Sequence, residues 1–319
     1  MNEQWKRAVV HLECVTDSDR YYEQVKKEKE LRTKYSQNEI SQEEYTKIYQ
    51  GEFGEKREAY GRDVRFHGTA IFVSHNEKRY LLTARHVLFD EHLAKRAPDE
   101  YGIFSQYLSD KFIFKHIFRV PSLDEALLNK KLDVPESLMN LQTGVYDYLP
   151  YTFSAPDLDL AIISLDQRET TFADELINLG YNPIPSELIE DGPTSEGVEL
   201  FTVGFPSSTA LIAQLKQDPG MAHWSSSYVS LPVYSWGKVS MLHSELPFFW
   251  TDMSIYPGNS GGPVIENGKL VGIVSAQASV SLEGLPDVRT RIPFGKIIKT
   301  CFVKTLLEEQ EAKDRRAAS

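Results

Sequence analysis

From Val198 to Ile292 the chain is a succession of short apolar runs: Val198–Pro206, Tyr228–Tyr234, Trp236–Leu242, Phe248–Met253, Gly262–Ile265, Leu270–Ala276 and Val288–Ile292. Glycine, proline or asparagine closes off each run, so none is long enough to bury a helical stripe. Short strands at close spacing specify a sandwich or a closed antiparallel barrel. The same signature stands earlier, where Val64–Ser74 and Arg79–Ala84 flank a turn at His75–Lys78 and read as a hairpin. Arg7–Val15, rich in valine and followed by Thr16-Asp17-Ser18-Asp19, reads as a first strand. The fold class expected is therefore all-β.

Helical patterning interrupts this plan in a few places. From about 19 to 61 the chain is dense in Glu, Lys and Arg, and Ser41-Gln42-Glu43-Glu44 is a capping-box pattern. Tyr45, Ile48, Tyr49, Phe53 and Tyr60 then recur along one helical face, so the segment reads as an inserted helical hairpin. Lys111–Arg119 looks like a strand, and Leu123–Lys131 like a short helix. Residues 167–197, with Pro183, Pro185 and Pro193, read as a polar link between two halves. A last helix is expected from about Lys296 to Glu311, ending in a frayed, charged tail. The organisation expected is 1–166, a link at 167–197, a second half at 198–294, and a helix with tail at 295–319.

Composition removes several function classes. With 46 acidic against 35 basic residues the formal charge is -11, which leaves no broad basic surface for nucleic acid. No stretch reaches membrane-spanning length, and the first apolar run, Ala8–Cys14, is too short for a signal peptide. Two cysteines, Cys14 and Cys301, are too few for a disulfide-built scaffold and fit a reducing compartment, so a cytoplasmic protein is expected. His-Glu-x-x-His, Cys-x-x-Cys and a phosphate-cradling glycine loop are absent, so neither metal nor nucleotide cofactor is expected.

Three polar groups sit where chemistry needs them. Ser260 lies within Gly258-Asn259-Ser260-Gly261-Gly262, a backbone tight enough for neighbouring N–H groups to converge on one spot. The strand Arg79–Ala84 delivers His86 into a loop from a rigid element. An acidic residue leads into the apolar run Leu160–Leu165, and Asp157 and Asp159, two apart, are equivalent by strand alternation. Histidine, aspartate and serine follow in the chain order of one known solution to nucleophilic acyl transfer.

In these residues the chain resembles the trypsin/chymotrypsin-like serine proteases, and most closely their bacterial HtrA-type branch. The matching stretches are Leu82-Thr83-Ala84-Arg85-His86-Val87, Asp159-Leu160-Ala161-Ile162, Val203-Gly204-Phe205-Pro206, and Thr251-Asp252-Met253-Ser254 through Gly258-Asn259-Ser260-Gly261-Gly262-Pro263. They cover about residues 7–15 and 66–300 and pass over the helical hairpin. The resemblance selects Asp159 over Asp157, since the family's aspartate is followed by an aliphatic residue and then Ala or Thr. It implies two six-stranded antiparallel barrels with the site between them, the first carrying the helical insertion and the second followed by a helix. It further implies an oxyanion hole at the N–H groups of Gly258 and Ser260. Ser275 would bond the buried aspartate, and Ala276 and Gln277 would pair with substrate backbone.

The activity implied is a serine endopeptidase acting on proteins or peptides. Asn259 stands where secreted digestive relatives carry an aspartate that pairs with a new N-terminus, so activation by trimming is not expected. After Ile292 only a helix and tail remain, so no PDZ-like domain is expected. Ser254, six residues before the nucleophile, would give a neutral pocket floor. Two alignments of Gly284–Pro293 place either Asp287 or Arg289 and Val288 at the pocket wall, with opposite consequences for charge, and a neutral, small-to-aliphatic pocket is the default. The alternatives are a catalytically silent peptide-binding scaffold, or esterase-like use of the same three groups. The helical insertion, the largest departure from a minimal protease, is the candidate for docking a partner or a second copy.

Overall fold

The computed structural model describes residues 2–16, 19–54, 64–91, 115–128, 136–140, 150–166, 172–206, 211–214 and 228–317. In the N-terminal half, β1 (Val9–Thr16), β2 (Val64–His75), β3 (Lys78–Ala84), β4 (Lys115–Pro121), β5 (Glu136–Asn140), β6 (Tyr151–Phe153) and β7 (Leu160–Ser164) pair antiparallel in the order β5-β4-β1-β2-β3-β7-β6. A short β8 (Ile184–Pro185) adds to β2 in parallel, making an eight-stranded sheet. The β2–β3 turn is tight because Asn76 and Glu77 both adopt left-handed backbone, at φ 47° and 62°.

Six strands of the second half close a barrel: β9 (Glu199–Gly204), β12 (Val233–Met241), β13 (Phe248–Thr251), β14 (Pro263–Glu266), β15 (Lys269–Leu282) and β16 (Leu285–Lys299). A separate pair, β10 (Leu211–Gln214) and β11 (Tyr228–Ser230), lies between β9 and β12 in sequence. The two six-stranded barrels implied by the resemblance are thus realised as one closed barrel and one larger sheet.

Several expected elements have other boundaries. The described part of the strand expected at Lys111–Arg119 is β4, which runs on to Pro121, and 111–114 lie outside the described residues. At Leu123–Lys131 the described part forms only one wide helical turn, Asp124–Leu128. The 167–197 link is structured: a helix at Phe172–Asn178 buries Phe172, Ala173 and Leu176, and β8 follows it onto the first sheet. Leu270–Ala276 and Val288–Ile292 belong to one long hairpin, turned at Glu283-Gly284 with Gly284 at φ 75°. Within the helical insertion, helices span Asp19–Ser36 and Gln42–Tyr49. The capping box is made, Glu44 N–H donating to Ser41 Oγ at 3.2 Å and Ser41 N–H to Glu44 Oε2 at 3.0 Å. Tyr45, Tyr49 and Phe53 stack in a ladder with Tyr35, while Tyr60 lies outside the described residues.

The last helix starts later than its composition suggests. Ile297 fills the barrel interior and Ile298 the interface between the halves, a period-two burial that holds β16 extended through Lys299. The helix proper is Val303–Ala317, and its end is docked: Gln310, Glu311 and Asp314 are buried. Thr152 Oγ1 donates to Gln310 Oε1 at 2.6 Å, and Ser164 Oγ to Asp314 Oδ2 at 2.9 Å. The helix therefore straps the end of the barrel's chain onto the first sheet. Among the described residues no helix is long and apolar enough to cross a membrane.

Three apolar clusters hold the fold. One lies on the outer face of the first sheet, around Leu12, Phe72, Leu81 and Ile163, and one fills the barrel, around Val239, Phe249 and Val274. The third joins the halves through Ile71, Leu82, Ile162, Val203, Ile265 and Ile273. Strand β7 is buried at every position because its two faces meet two different clusters, which explains its unbroken apolar run. Each such side chain contributes roughly 1.5–3 kcal/mol by burial.

The junction also contains polar groups. His11 on β1 is buried, its ring 5.0 Å from Phe205 and its Nε2 3.2 Å from His67 Nδ1. Burial first, and the neighbouring His67 second, push its pKa from 6.5 down to about 3. A depressed histidine stays neutral when folded and binds a proton when unfolded, so its stabilisation is lost as pH falls below the unfolded value. Denaturant unfolding at pH 5.5 against pH 7 should show about 1 kcal/mol of loss from this group, and His11→Phe should remove that part of the dependence. At Gly261, φ is 84° and an added Cβ would lie 2.1 Å from both the Thr69 carbonyl oxygen and Thr83 Oγ1. Gly261→Ala should cost at least about 3 kcal/mol in the same measurement, because both backbone strain and a backbone clash oppose it.

Candidate active site

The site forms where the end of β3, the start of β7 and the β13–β15 region converge. His86 sits in the single helical turn Arg85–Leu88 that follows β3 directly, and its side chain is 46% exposed. Asp159 immediately precedes β7 at φ 54°, a left-handed backbone that a non-glycine residue adopts only when its surroundings enforce it. Arg85 N–H donates to the Asp159 carbonyl at 3.1 Å, and Ser154 Oγ accepts the Leu160 N–H at 2.8 Å, bracketing that residue. The carboxylate then faces His86: Nδ1 lies 2.9 Å from Oδ2 and 3.0 Å from Oδ1, and the His86 N–H donates to Oδ1 at 3.0 Å. Asp157, two residues earlier, is exposed on the preceding turn.

The barrel supplies the other side. Ser275 on β15 donates its hydroxyl to Asp159 Oδ2 at 2.5 Å, while its carbonyl accepts the Ser260 hydroxyl at 3.3 Å. One residue thus touches both the carboxylate and the serine. Burial opposes ionisation of Asp159 more than any other single influence. The hydrogen bonds and charge of His86, with the Ser275 hydroxyl, together outweigh burial and hold the carboxyl below its usual range. Its nearest donors are therefore presented to a carboxylate.

Ser260 lies in the turn between β13 and β14. Gly258 adopts φ 99°, Asn259 N–H closes onto the Tyr256 carbonyl at 3.0 Å, and Gly262 N–H onto the Asn259 carbonyl at 2.8 Å. The N–H groups of Gly258 and Ser260 donate no hydrogen bond among the described residues. Two main-chain donors of the turn are therefore left without a partner among the described residues. The Ser260 hydroxyl is directed to Ser275 and not to His86.

Of the residues expected around a pocket, some gather and some do not. Ser254 is exposed, and its carbonyl accepts the Ser235 hydroxyl at 2.8 Å. Ala276 and Gln277 continue β15 past Ser275, with Gln277 Nε2 donating to the Ile292 carbonyl at 3.2 Å. Beyond Glu266↔Lys269 through Pro263↔Ile273, β14 no longer covers β15, so the edge of Ser275–Gln277 away from β16 is unpaired among the described residues. Arg289 pairs with Ser281, four residues beyond Gln277 and roughly 13 Å farther along the hairpin. Asp287 precedes Arg289 on the same outer part of β16. In both frames the charged residue therefore stands on the outer part of the hairpin, beyond Gln277. Ile255, which sequence reasoning passed over, is buried, and its Cδ1 lies 2.2 Å from where a Cβ on Gly295 would stand. Thr69 was also passed over, although a hydroxyl inside the apolar run Ala70–Val73 and its neighbours was a signal. Among the described residues no three His, Cys, Asp or Glu side chains are grouped to hold a metal.

Several known proteins resemble this chain. A serine protease DegP homolog of Plasmodium falciparum (isolate 3D7) is 30% identical over 131 residues, which are 40% of this chain and 12% of that protein. The chain thus spans only a small part of that relative. The protease Anisep from Arthrobacter nicotinovorans superposes with a TM-score of 0.47 at 10% identity, over 96% of both chains. The thermostable serine protease AL20 from an extremophilic microorganism gives 0.43 at 16% identity, over 77% of this chain and 91% of its own. Residues 68–273, well over half of the sequence, match the family model of the trypsin-like peptidase domain, and the chain belongs to that family.

Proposed function

We propose that this protein is a serine endopeptidase whose nucleophile is Ser260, with His86 as general base and Asp159 as the group that orients it. The observation that carries the reading is the continuous link from the His86 ring through Asp159 and Ser275 to Ser260, built from both halves of the chain. A serine hydroxyl is too weak an acid to attack an amide unaided. With substrate bound, Ser260 Oγ leaves the Ser275 carbonyl for His86 Nε2 by a change of side-chain rotamer, and catalytic hydrogen bonds commonly tighten only in such complexes.

Oγ then bonds to the scissile carbonyl carbon as its proton passes to His86 Nε2. Asp159 keeps the Nδ1 proton in place and stabilises the imidazolium. The carbonyl oxygen, now carrying negative charge, takes the N–H groups of Gly258 and Ser260. Collapse breaks the C–N bond, and His86 returns its proton to the leaving amine. A water molecule, deprotonated by His86, then attacks the acyl carbon, and His86 returns that proton to Ser260 Oγ as the ester C–O bond breaks.

The substrate polypeptide lies as an added strand along the edge of Ser275–Gln277 that no described strand pairs, the Ser275 carbonyl being freed as the Ser260 hydroxyl turns to His86. Ser254, exposed and uncharged six residues before Ser260, supports a neutral pocket for a small or aliphatic residue ahead of the cleaved bond. The free, unpaired cysteines Cys14 and Cys301 support a cytoplasmic setting.

Ser260→Ala should abolish both peptide hydrolysis and labelling by a fluorophosphonate probe. Asp159→Asn should lower kcat by about 10⁴-fold while the protein remains folded, because the imidazole loses its tautomer and orientation. Labelling that survives Ser260→Ala would remove the assignment. In a peptide library, cleavage should concentrate after alanine, valine or other small aliphatic residues. A dominant charged residue at that position would rule this pocket out.

A further inference from the structure

Strand β2 passes directly beneath the Ser260 turn, and Thr69 is its point of contact. Thr69 is fully buried, and each of its polar groups is engaged. Its N–H donates to the Ser260 carbonyl at 2.8 Å, and its Oγ1 donates to the Gly258 carbonyl at 2.8 Å. The same Oγ1 accepts the Phe205 N–H at 3.1 Å, and the Thr69 carbonyl accepts Thr83 Oγ1 at 2.7 Å. One residue of the first sheet thereby fixes both carbonyls, Gly258 through its hydroxyl and Ser260 through its main-chain N–H, and is itself aimed by β9 and β3. The approach is close: a Cβ on Gly204 would lie 2.9 Å from Thr69 Oγ1.

We infer that Thr69 is a positioning residue for the oxyanion-binding N–H groups, acting through Gly258 and Ser260 without touching substrate. The inference rests on the protease reading above. Each donor N–H is separated from a carbonyl held by Thr69 by a single α-carbon, so anchoring the carbonyl restricts where the N–H can point. Ser260 has a side chain to limit its backbone further, whereas Gly258, at φ 99°, has none. The hydroxyl of Thr69 supplies the restraint that a Cβ cannot. Donors held in place before charge develops need no reorganisation during the reaction, and a misplacement of about 1 Å costs on the order of 10²-fold in rate.

The test compares Thr69→Val, which keeps the shape and removes the hydroxyl, with Thr69→Ser, which keeps the hydroxyl. For folded Thr69→Val, kcat on a cleaved peptide should fall about 10- to 100-fold with KM within about threefold. Affinity for a peptidyl boronate, whose tetrahedral adduct needs the same donors, should fall in parallel. Thr69→Ser should recover both to within about threefold. A purely structural role predicts instead a lowered unfolding temperature with kcat unchanged. A kcat for Thr69→Val within twofold of the parent, or a deficit that serine does not recover, overturns the inference. Should Thr69→Val not fold, Thr69→Cys carries the test, since a weak donor in a similar volume should give the same direction of loss in kcat. A parent protein that neither cleaves peptides nor binds the boronate through Ser260 overturns the protease reading itself, whereas an active parent with an unimpaired Thr69→Val overturns this inference alone.

Discussion

The Asp159 carboxylate is where the two halves of this chain become one site. It is offered by the start of β7, in a backbone conformation that only a bracketed residue holds, and it receives hydrogen bonds from His86 on its own sheet and from Ser275 on the barrel. A largely buried carboxylate without donors would be driven toward its neutral form. Here the donors reverse that tendency, so the negative charge and the orientation of the imidazole depend on both halves being in place. The link is strongest while the carboxyl is ionised. Because the folded pKa is depressed, its contribution is present above the ordinary carboxylate value and is lost as pH falls through the folded one.

What brings the halves to this distance is burial. The cluster containing Ile71, Leu82, Ile162, Val203 and Ile273 is shared between them, and the helix Val303–Ala317 crosses from the barrel onto β6 and β7. Polar contacts then set the register within that apolar joint. Thr69 ties β2 to the Ser260 turn, and Gly261 permits the approach because any side chain there would strike the same strand. Apolar contact supplies most of the attraction, while hydrogen bonds with unforgiving geometry decide which atoms face one another.

Much of the candidate site was legible because its residues sit on short, recognisable punctuation. Gly258 to Gly262 mark a turn, and His86 ends a strand whose alternation is plain. Asp159 could not be separated from Asp157 by periodicity, since both precede the strand. The distinction lies in the positive φ of one and the exposure of the other. The pocket was less legible. Ser254 is a candidate through its distance from Ser260, and Asp287 and Arg289 through two rival alignments of Gly284–Pro293, whereas the hairpin of β15 and β16 continues through Arg289, which pairs with Ser281. Hairpin length is set by cross-strand pairing, which local composition does not encode. The C-terminal helix illustrates the same limit: its residues favour helix from Lys296, yet Ile297 and Ile298 are claimed by two cores.

By itself the sequence determined the class of fold and the candidate residues: short strands punctuated by glycine and proline, and a histidine, an aspartate and a serine at the ends of such strands. These properties are local, set by a few neighbouring side chains and backbone preferences. Only the tertiary structure decided that Ser275 joins the carboxylate to the serine, that Thr69 holds the turn from beneath, and that Ile255 stands against Gly295. Each of these contacts joins segments far apart in the chain, and their distances depend on how two packed halves settle against a common core.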